Sequence, residues 1–392
     1  MGVVPEEAIN QFEALMEEGM LLLMFILQTL FLISYCVAVI SIAKFTFCRE
    51  EEEEMGVVPD VAINQFEALM EEVDEPLKRT FQNVHQGYPR EPLVRFLKAR
   101  DGNVMKAYKM LVDCLKWRVQ NDIEDILAKP IVPTDLYRAI RDSQLIGLSG
   151  YSKEGLPVFA VGVGLSTCDK ASVHYYVQSY IQINEYRDRV IFPAATKKYG
   201  KHISKCIKIL DMTGLKLSAL SQIKILTIMS SIDDLNYPEK TVTYYIVNAP
   251  YIFSACWKVV KPLLQERTKG KIIVLSGCGQ DDLLKIMDYS SLPHFCRKRS
   301  SGCSEHSDIY IDNYYSLDHP FHQEVYNYIK QQSLIREPVK PIKQGSLHVA
   351  LPEDAVEGAE IAKTLESELE KFKDLGGCPE SLEDLKIDNG KS

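Results

Sequence analysis

Residues 243–275 read TYYIVNAPYIFSACWKVVKPLLQERTKGKIIVL. Two short apolar runs, Thr243–Asn248 and Lys271–Leu275, enclose a longer apolar stretch, Ile252–Leu264. Runs of this length, rich in β-branched and aromatic residues and bounded by turn signals, predict buried strands. The stretch between them is long enough for a helix. Working outward, Pro157–Val163 and Cys206–Met212 predict two more strands, with helical patterns over Ser172–Val190 and Ser218–Leu235. Strands alternating with helices predict an α/β layer with a mostly parallel sheet, here over residues 133–300.

Upstream, residues 59–130 carry helical spacing. Leu93, Phe96 and Leu97 form one apolar face, and Val104, Tyr108, Leu111, Val112, Leu115 and Val119 form another. Asp101-Gly102-Asn103 separates the two helices, with Asn103 as the N-cap, and Pro130 and Pro133 punctuate a linker. Residues 301–392 form an acidic tail. A helix at 359–375 within it bears a narrow stripe of Ile361, Leu365, Leu369 and Phe372, suited to tail packing or to a helix partner.

The extension at 1–54 is unusual. Met1–Glu18 (MGVVPEEAINQFEALMEE) returns as Met55–Glu72 (MGVVPDVAINQFEALMEE), differing only at Glu6/Asp60 and Glu7/Val61. Two such copies do not make a solenoid. Each begins with Met, which points to a duplicated first coding segment or a second start at Met55. Between them, residues 19–43 hold no charged side chain and are long enough to span a bilayer. A chain translated from Met1 is then expected to be a single-pass membrane protein, and one begun at Met55 is not.

The net charge of −9 conceals an uneven distribution. Residues 1–75 balance at −14 and residues 351–392 at −7, leaving +12 on the body between them. A basic body attracts phosphate on lipids, nucleotides or nucleic acids without choosing among them. The ten cysteines include no C-x-x-C pair, which indicates free thiols in a reducing compartment. No G-x-S-x-G, H-E-x-x-H or P-loop motif occurs, and Thr167 stands where a dinucleotide loop opened by Gly162-Val163-Gly164 needs its third glycine. The histidines lack metal spacing, so no catalytic residue, metal or cofactor is expected.

Three further segments carry chemistry. Arg95-Phe96-Leu97-Lys98-Ala99-Arg100 reads on its own as a solvated basic helix face. Asn236-Tyr237-Pro238-Glu239-Lys240 reads as a turn. Thr268-Lys269-Gly270-Lys271 offers a hydroxyl and cations, which suit phosphate, directly after the apolar Ile252–Leu264.

Taken together and in order, R-F-L-K-A-R, L-D-M-T-G, N-Y-P-E-K, Y-Y-I-V-N-A-P, V-K-P-L-L and T-K-G-K-I resemble the CRAL-TRIO lipid-binding domain, in its secretory-pathway phosphatidylinositol transfer branch. The resemblance spans Leu77 to Arg299, including the small helical domain. It implies a head-group site in which Arg100, Thr268 and Lys271 serve the phosphate and Glu239 the inositol hydroxyls. It also implies an acyl cavity lined by Phe159 and Tyr186 and gated by the helix carrying Ile252, Phe253, Trp257, Val260 and Leu264. Members that also take phosphatidylcholine use pocket hydroxyls. Here the aligned places hold Leu148, Phe159, Cys206, Lys208 and Asp233, with Tyr186 retained, so phosphatidylinositol is the expected ligand and choline recognition is not expected.

The expected activity is thus non-enzymatic transfer of phosphatidylinositol between membranes. Its partners would be the lipid and the membrane surface, not nucleic acid. The expected location is the cytoplasm, peripheral on Golgi or plasma membrane. The rival readings are a membrane-anchored scaffold presenting phosphoinositide to a kinase, and a carrier of a retinoid, tocopherol or sterol.

Overall fold

The computed structural model describes residues 58–215, 223–250, 253, 271–297, 314–315 and 318–335. Residues 19–43 and 359–375, together with Thr268, Ile252, Trp257, Val260 and Leu264, lie outside them. The chain divides into two compact units. One comprises Met1–Val37, Tyr251–Leu263 and Glu353–Ser392, of which only the buried Phe253 is described. The other comprises Ala38–Pro250 and Leu264–Pro352 and holds every element below.

Four helices open that unit: α1 (Asp60–Glu71), α2 (Glu75–His85), α3 (Arg90–Lys98) and α4 (Val104–Gln120). Their apolar faces meet in one cluster built on Phe66, Leu77, Leu93, Phe96, Leu97, Leu111 and Leu115. Asn103 caps α4 as expected, its side chain accepting from Lys106 N at 3.0 Å. The expected stripe of α4 packs into that cluster through Val104, Tyr108, Leu111, Val112 and Leu115. The buried face is wider than the stripe at one side and ends short of Val119. Ala107, Met110, Cys114 and Arg118 face inward, whereas Val119 is 43% exposed.

A 3-10 turn (Ile123–Ala128) and α5 (Thr134–Gln144) lead into a five-stranded sheet. Its strands are β1 (Ile146–Tyr151), β2 (Pro157–Gly162), β3 (Cys206–Asp211), β4 (Thr241–Val247) and β5 (Ile272–Val274), neighbours in that order. β1 pairs antiparallel with β2, and the other pairs are parallel. The four strands read from the sequence are therefore present, and the mostly parallel α/β sheet is the observed architecture. β1 was not foreseen. Its Gly147 lies where an added Cβ would fall 1.8 Å from Tyr314 O, so close packing requires glycine there.

Between β2 and β3 run α6 (Val173–Tyr186), a π-helical segment (Arg187–Ile191) and α7 (Phe192–Tyr199). Between β3 and β4 runs α8 (Ile223–Asn236), and after β5 comes α9 (Gln280–Ile286). The period-2 alternation of the strands separates two apolar layers. Phe159 and Cys206 share one cluster with Ile181, Tyr186 and Ile232 from α6 and α8. Val158, Ile207, Ile209 and Tyr245 share the other with Leu283 of α9 and Cys296.

The expected domain boundary at residue 300 leaves out one structural element. In α10 (Pro320–Ile335), placed in the tail by its position, Phe321, Val325 and Ile329 are buried in the cluster of Phe159 and Tyr186.

Candidate functional site

Glu239 and Lys271 come together although 32 residues separate them. The turn Asn236–Lys240 delivers Glu239 between α8 and β4, and Lys271 precedes β5, its carbonyl accepting from Tyr244 N at 2.8 Å. Lys271 Nζ donates to Glu239 Oε2 at 2.8 Å, and each side chain is 2% exposed. The other carboxylate oxygen, Glu239 Oε1, is buried with no hydrogen-bond partner among the described residues. Glu239 itself holds the left-handed φ of 61°.

That backbone needs an external hold, and Arg95 supplies one. Its Nη1 donates to Pro238 O at 2.9 Å, and its Nε lies 2.8 Å from Glu91 Oε1. The solvated basic face expected for this helix is thus corrected at Arg95, which is 4% exposed because the turn of residues 236–240 covers it. The sequence signal was Glu91 one helical turn before Arg95. Burial alone would raise the Glu91 carboxyl, but Arg95 and Lys240 hold it down at about 2.

Arg100 lies just past α3 and is half-buried. Burial lowers its proton affinity, while Asp101 and Asp234 act in the opposite sense. Its described hydrogen bond is to Ala99 O at 2.8 Å, so it does not join the Glu239–Lys271 pair directly.

Phe159 and Tyr186 are buried together, each edge-on to the ring of Phe321 at centroid distances of 6.3 and 6.2 Å. Burial pushes the Tyr186 phenol up to about 12. Strand register sets Leu148, Phe159, Lys208, Tyr244 and Ile272 in one row across the sheet. Lys208 interrupts the apolar row and is matched by polar partners. Its Nζ lies 2.9 Å from Asp233 Oδ2, which also accepts from Tyr180 OH at 2.6 Å, while Asn184 Nδ2 reaches Asp233 Oδ1 at 3.1 Å. Burial opposes the Lys208 charge, but Asp233 outweighs it and raises the ammonium's proton affinity.

Beside this row, Arg118 and Glu185 form a bidentate pair at 2.8 and 2.9 Å, with Arg189 2.6 Å from Glu185 and Tyr237 OH donating to it at 2.6 Å. Within the π-helical segment Arg189 reaches Glu185 and Glu124, while Arg187 pairs with Asp188 and donates to Asn184. Nothing in the local sequence announces that network, since its members come from α4, α6 and the turn before β4.

Residues 141–296 match the family described as "CRAL/TRIO domain", and residues 62–113 match "CRAL/TRIO, N-terminal domain". The chain is a CRAL-TRIO protein with its helical N-terminal domain. Among its relatives is "Phosphatidylinositol/phosphatidylcholine transfer protein SFH9" of Arabidopsis thaliana, 30% identical over 63% of this chain and 41% of that protein. Another is "SEC14 cytosolic factor" of Eremothecium gossypii, 28% identical over 60% of this chain and 77% of that protein. This chain therefore spans less than half the length of the Arabidopsis relative. A solved structure, "Crystal structure of Sfh5", aligns with a TM-score of 0.43 at 15% identity, covering 72% of this chain and all of that one.

Proposed function

We propose that this protein binds phosphatidylinositol and carries it between membranes without catalysing a reaction. The observation that carries the reading is the buried Glu239–Lys271 pair, with Glu239 Oε1 unspent among the described residues. A carboxylate oxygen inside a polar turn accepts from hydroxyls, and an ammonium beside it meets a phosphate. Thr268 and Arg100 complete the phosphate side of the assignment, and Arg95 holds the turn that presents Glu239.

One relative, named as a phosphatidylinositol/phosphatidylcholine transfer protein, supports the class of activity, and another, named as a cytosolic factor, supports the location. The protein is proposed to act from the cytoplasm at endomembrane surfaces. No helix among the described residues is long and apolar enough to cross a membrane, and a chain carrying residues 19–43 would be anchored by a segment outside them. Burying two acyl chains contributes about 0.8 kcal/mol per methylene, which the bilayer already provides, so head-group contacts decide selectivity. The gate is assigned to Ile252, Phe253, Trp257, Val260 and Leu264, and the acyl cavity to Phe159 and Tyr186.

Phosphatidylcholine is proposed to be a poor ligand. The Lys208–Asp233 pair stands where a choline-binding pocket would carry hydroxyls, and its two charges are spent on each other rather than on a choline. Mass spectrometry of lipid co-purified with a chain begun at Met55 tests the whole reading. Phosphatidylinositol is the expected dominant species. Recovery of phosphatidylcholine as the main lipid would refute the selectivity argument, and recovery of no phospholipid would refute the function.

A further inference from the structure

A pocket of about 290 Å³ lies where the end of α2, the start of α3, α7 and the loop before β3 meet. Lys240 forms part of its wall. The left-handed backbone at Glu239 belongs to a turn in which Glu239 pairs with Lys271 while the next residue, Lys240, pairs with Asp188. Two separate sites therefore share one peptide bond.

Glu91 and Asp188 line the pocket with Lys240, and together with their partners Arg95 and Arg187 the cluster holds three cations to two carboxylates. Glu91 is held by Arg95 at 2.8 Å, and Asp188 by Arg187 at 2.7 Å. Each carboxylate thus has its own guanidinium. Lys240 is the third cation, its side chain 9% exposed, and it shares Asp188 at a longer 3.3 Å. It spends none of its N–H groups on a hydrogen bond among the described residues, and it faces the Phe192 ring at 5.2 Å. The neighbouring network of Arg118 and Arg189 with Glu124 and Glu185 is balanced and offers no spare anion. Burial and Arg95 lower the proton affinity of Lys240 despite Asp188 and Glu91, as expected of a cation short of counter-charge. At the mouth, exposed Lys197 adds a further positive charge.

We propose that this pocket binds a small phosphate monoester, with Lys240 as the buried cation that receives the phosphate and Lys197 as the second. A buried surplus charge is costly until a counter-charge reaches it, and an ammonium with free donors suits phosphate oxygens. The pocket is larger than a bare phosphate, and the rings of Tyr88 and Phe192 on its wall give an organic substituent an apolar surface. Lys240 also borders the hollow that holds Glu239, but Glu239 and Lys271 do not line this pocket, so either assignment can fail without the other.

The test titrates the full chain with inorganic phosphate and glycerol 3-phosphate by calorimetry, and floats it on vesicles containing phosphatidic acid, which bears the same monoester on a lipid. Saturable binding of glycerol 3-phosphate is the expected result if the ligand is soluble, and flotation alone if it is a lipid head. In either arm Lys240→Gln is expected to weaken binding by roughly tenfold or more, the loss of a charge-assisted contact. The exposed Lys197→Gln, which leaves the fold untouched, should weaken it by a smaller factor. Thr268→Asp, which blocks the other site, should leave it unchanged. Binding of no probe, binding indifferent to both lysine variants, or binding abolished by Thr268→Asp would each overturn the proposal.

Discussion

Removing Lys271 alone would leave the Glu239 carboxylate buried without its cation, a change that costs about 3–5 kcal/mol in buried pairs. Lys271→Ala is therefore expected to lose both stability and phosphatidylinositol transfer, and by itself it confuses the two. Lys271→Met combined with Glu239→Gln removes both charges and should recover most of the stability while transfer stays abolished. Chemical denaturation beside a vesicle transfer assay separates these outcomes; a double variant that still transfers phosphatidylinositol would contradict the site. Glu91 gives a second residue-scale expectation. Its carboxyl falls from 4.5 to about 2 on folding, so its stabilisation is complete above about pH 4.5 and drains away as the pH drops toward 2. The expected loss across that window is on the order of 2–3 kcal/mol, and Glu91→Gln should flatten the stability curve there.

At the scale of elements, α10 is the part whose placement changes most from what its sequence suggests. Phe321 meets both Phe159 and Tyr186, and Phe321→Ala is expected to destabilise the fold by about 3–5 kcal/mol in a denaturant titration. A loss under 1 kcal/mol would show that α10 merely rests on the surface. The spacing of Phe321, Val325 and Ile329 was readable as a helix face, but proximity to an acidic tail masked it. Strands β2 to β5 were legible because buried parallel strands are continuous apolar runs. β1 was not, since Gly147 and Gly150 erase that signature. At the site, Glu239 and Lys271 were found through motif resemblance. Arg95 was misread because a basic residue on an amphipathic helix looks solvated until its partner, 143 residues away, is known. The Lys208–Asp233 pairing was equally hidden, because no local pattern tells which carboxylate will face a strand lysine.

For the whole molecule, the second sequence copy has a structural role. It forms α1, and Ile63, Phe66 and Met70 from it are buried in the helical cluster. A chain begun at Met55 is thus expected to keep the helical domain intact and to exchange lipid between separate vesicles. Beginning at Val73 instead should expose that cluster and lower the thermal midpoint, which calorimetry would register.

The burial of α10 against Phe159 and Tyr186 also sets a timetable for the ribosome. Residues 141–296, the matched family segment, leave the exit tunnel before Pro320–Ile335 does. Until then an aromatic surface that the finished protein hides stays open to solvent and to chaperones. Nascent chains stalled with residue 297 outside the tunnel and α10 still inside it should be cut readily by protease. Chains stalled far enough past residue 335 for α10 to emerge should become resistant. Protease digestion of a ladder of stalled chains would locate that switch. Protection already complete while α10 is still inside the tunnel would mean that the sheet closes its own aromatic face without help from the last helix.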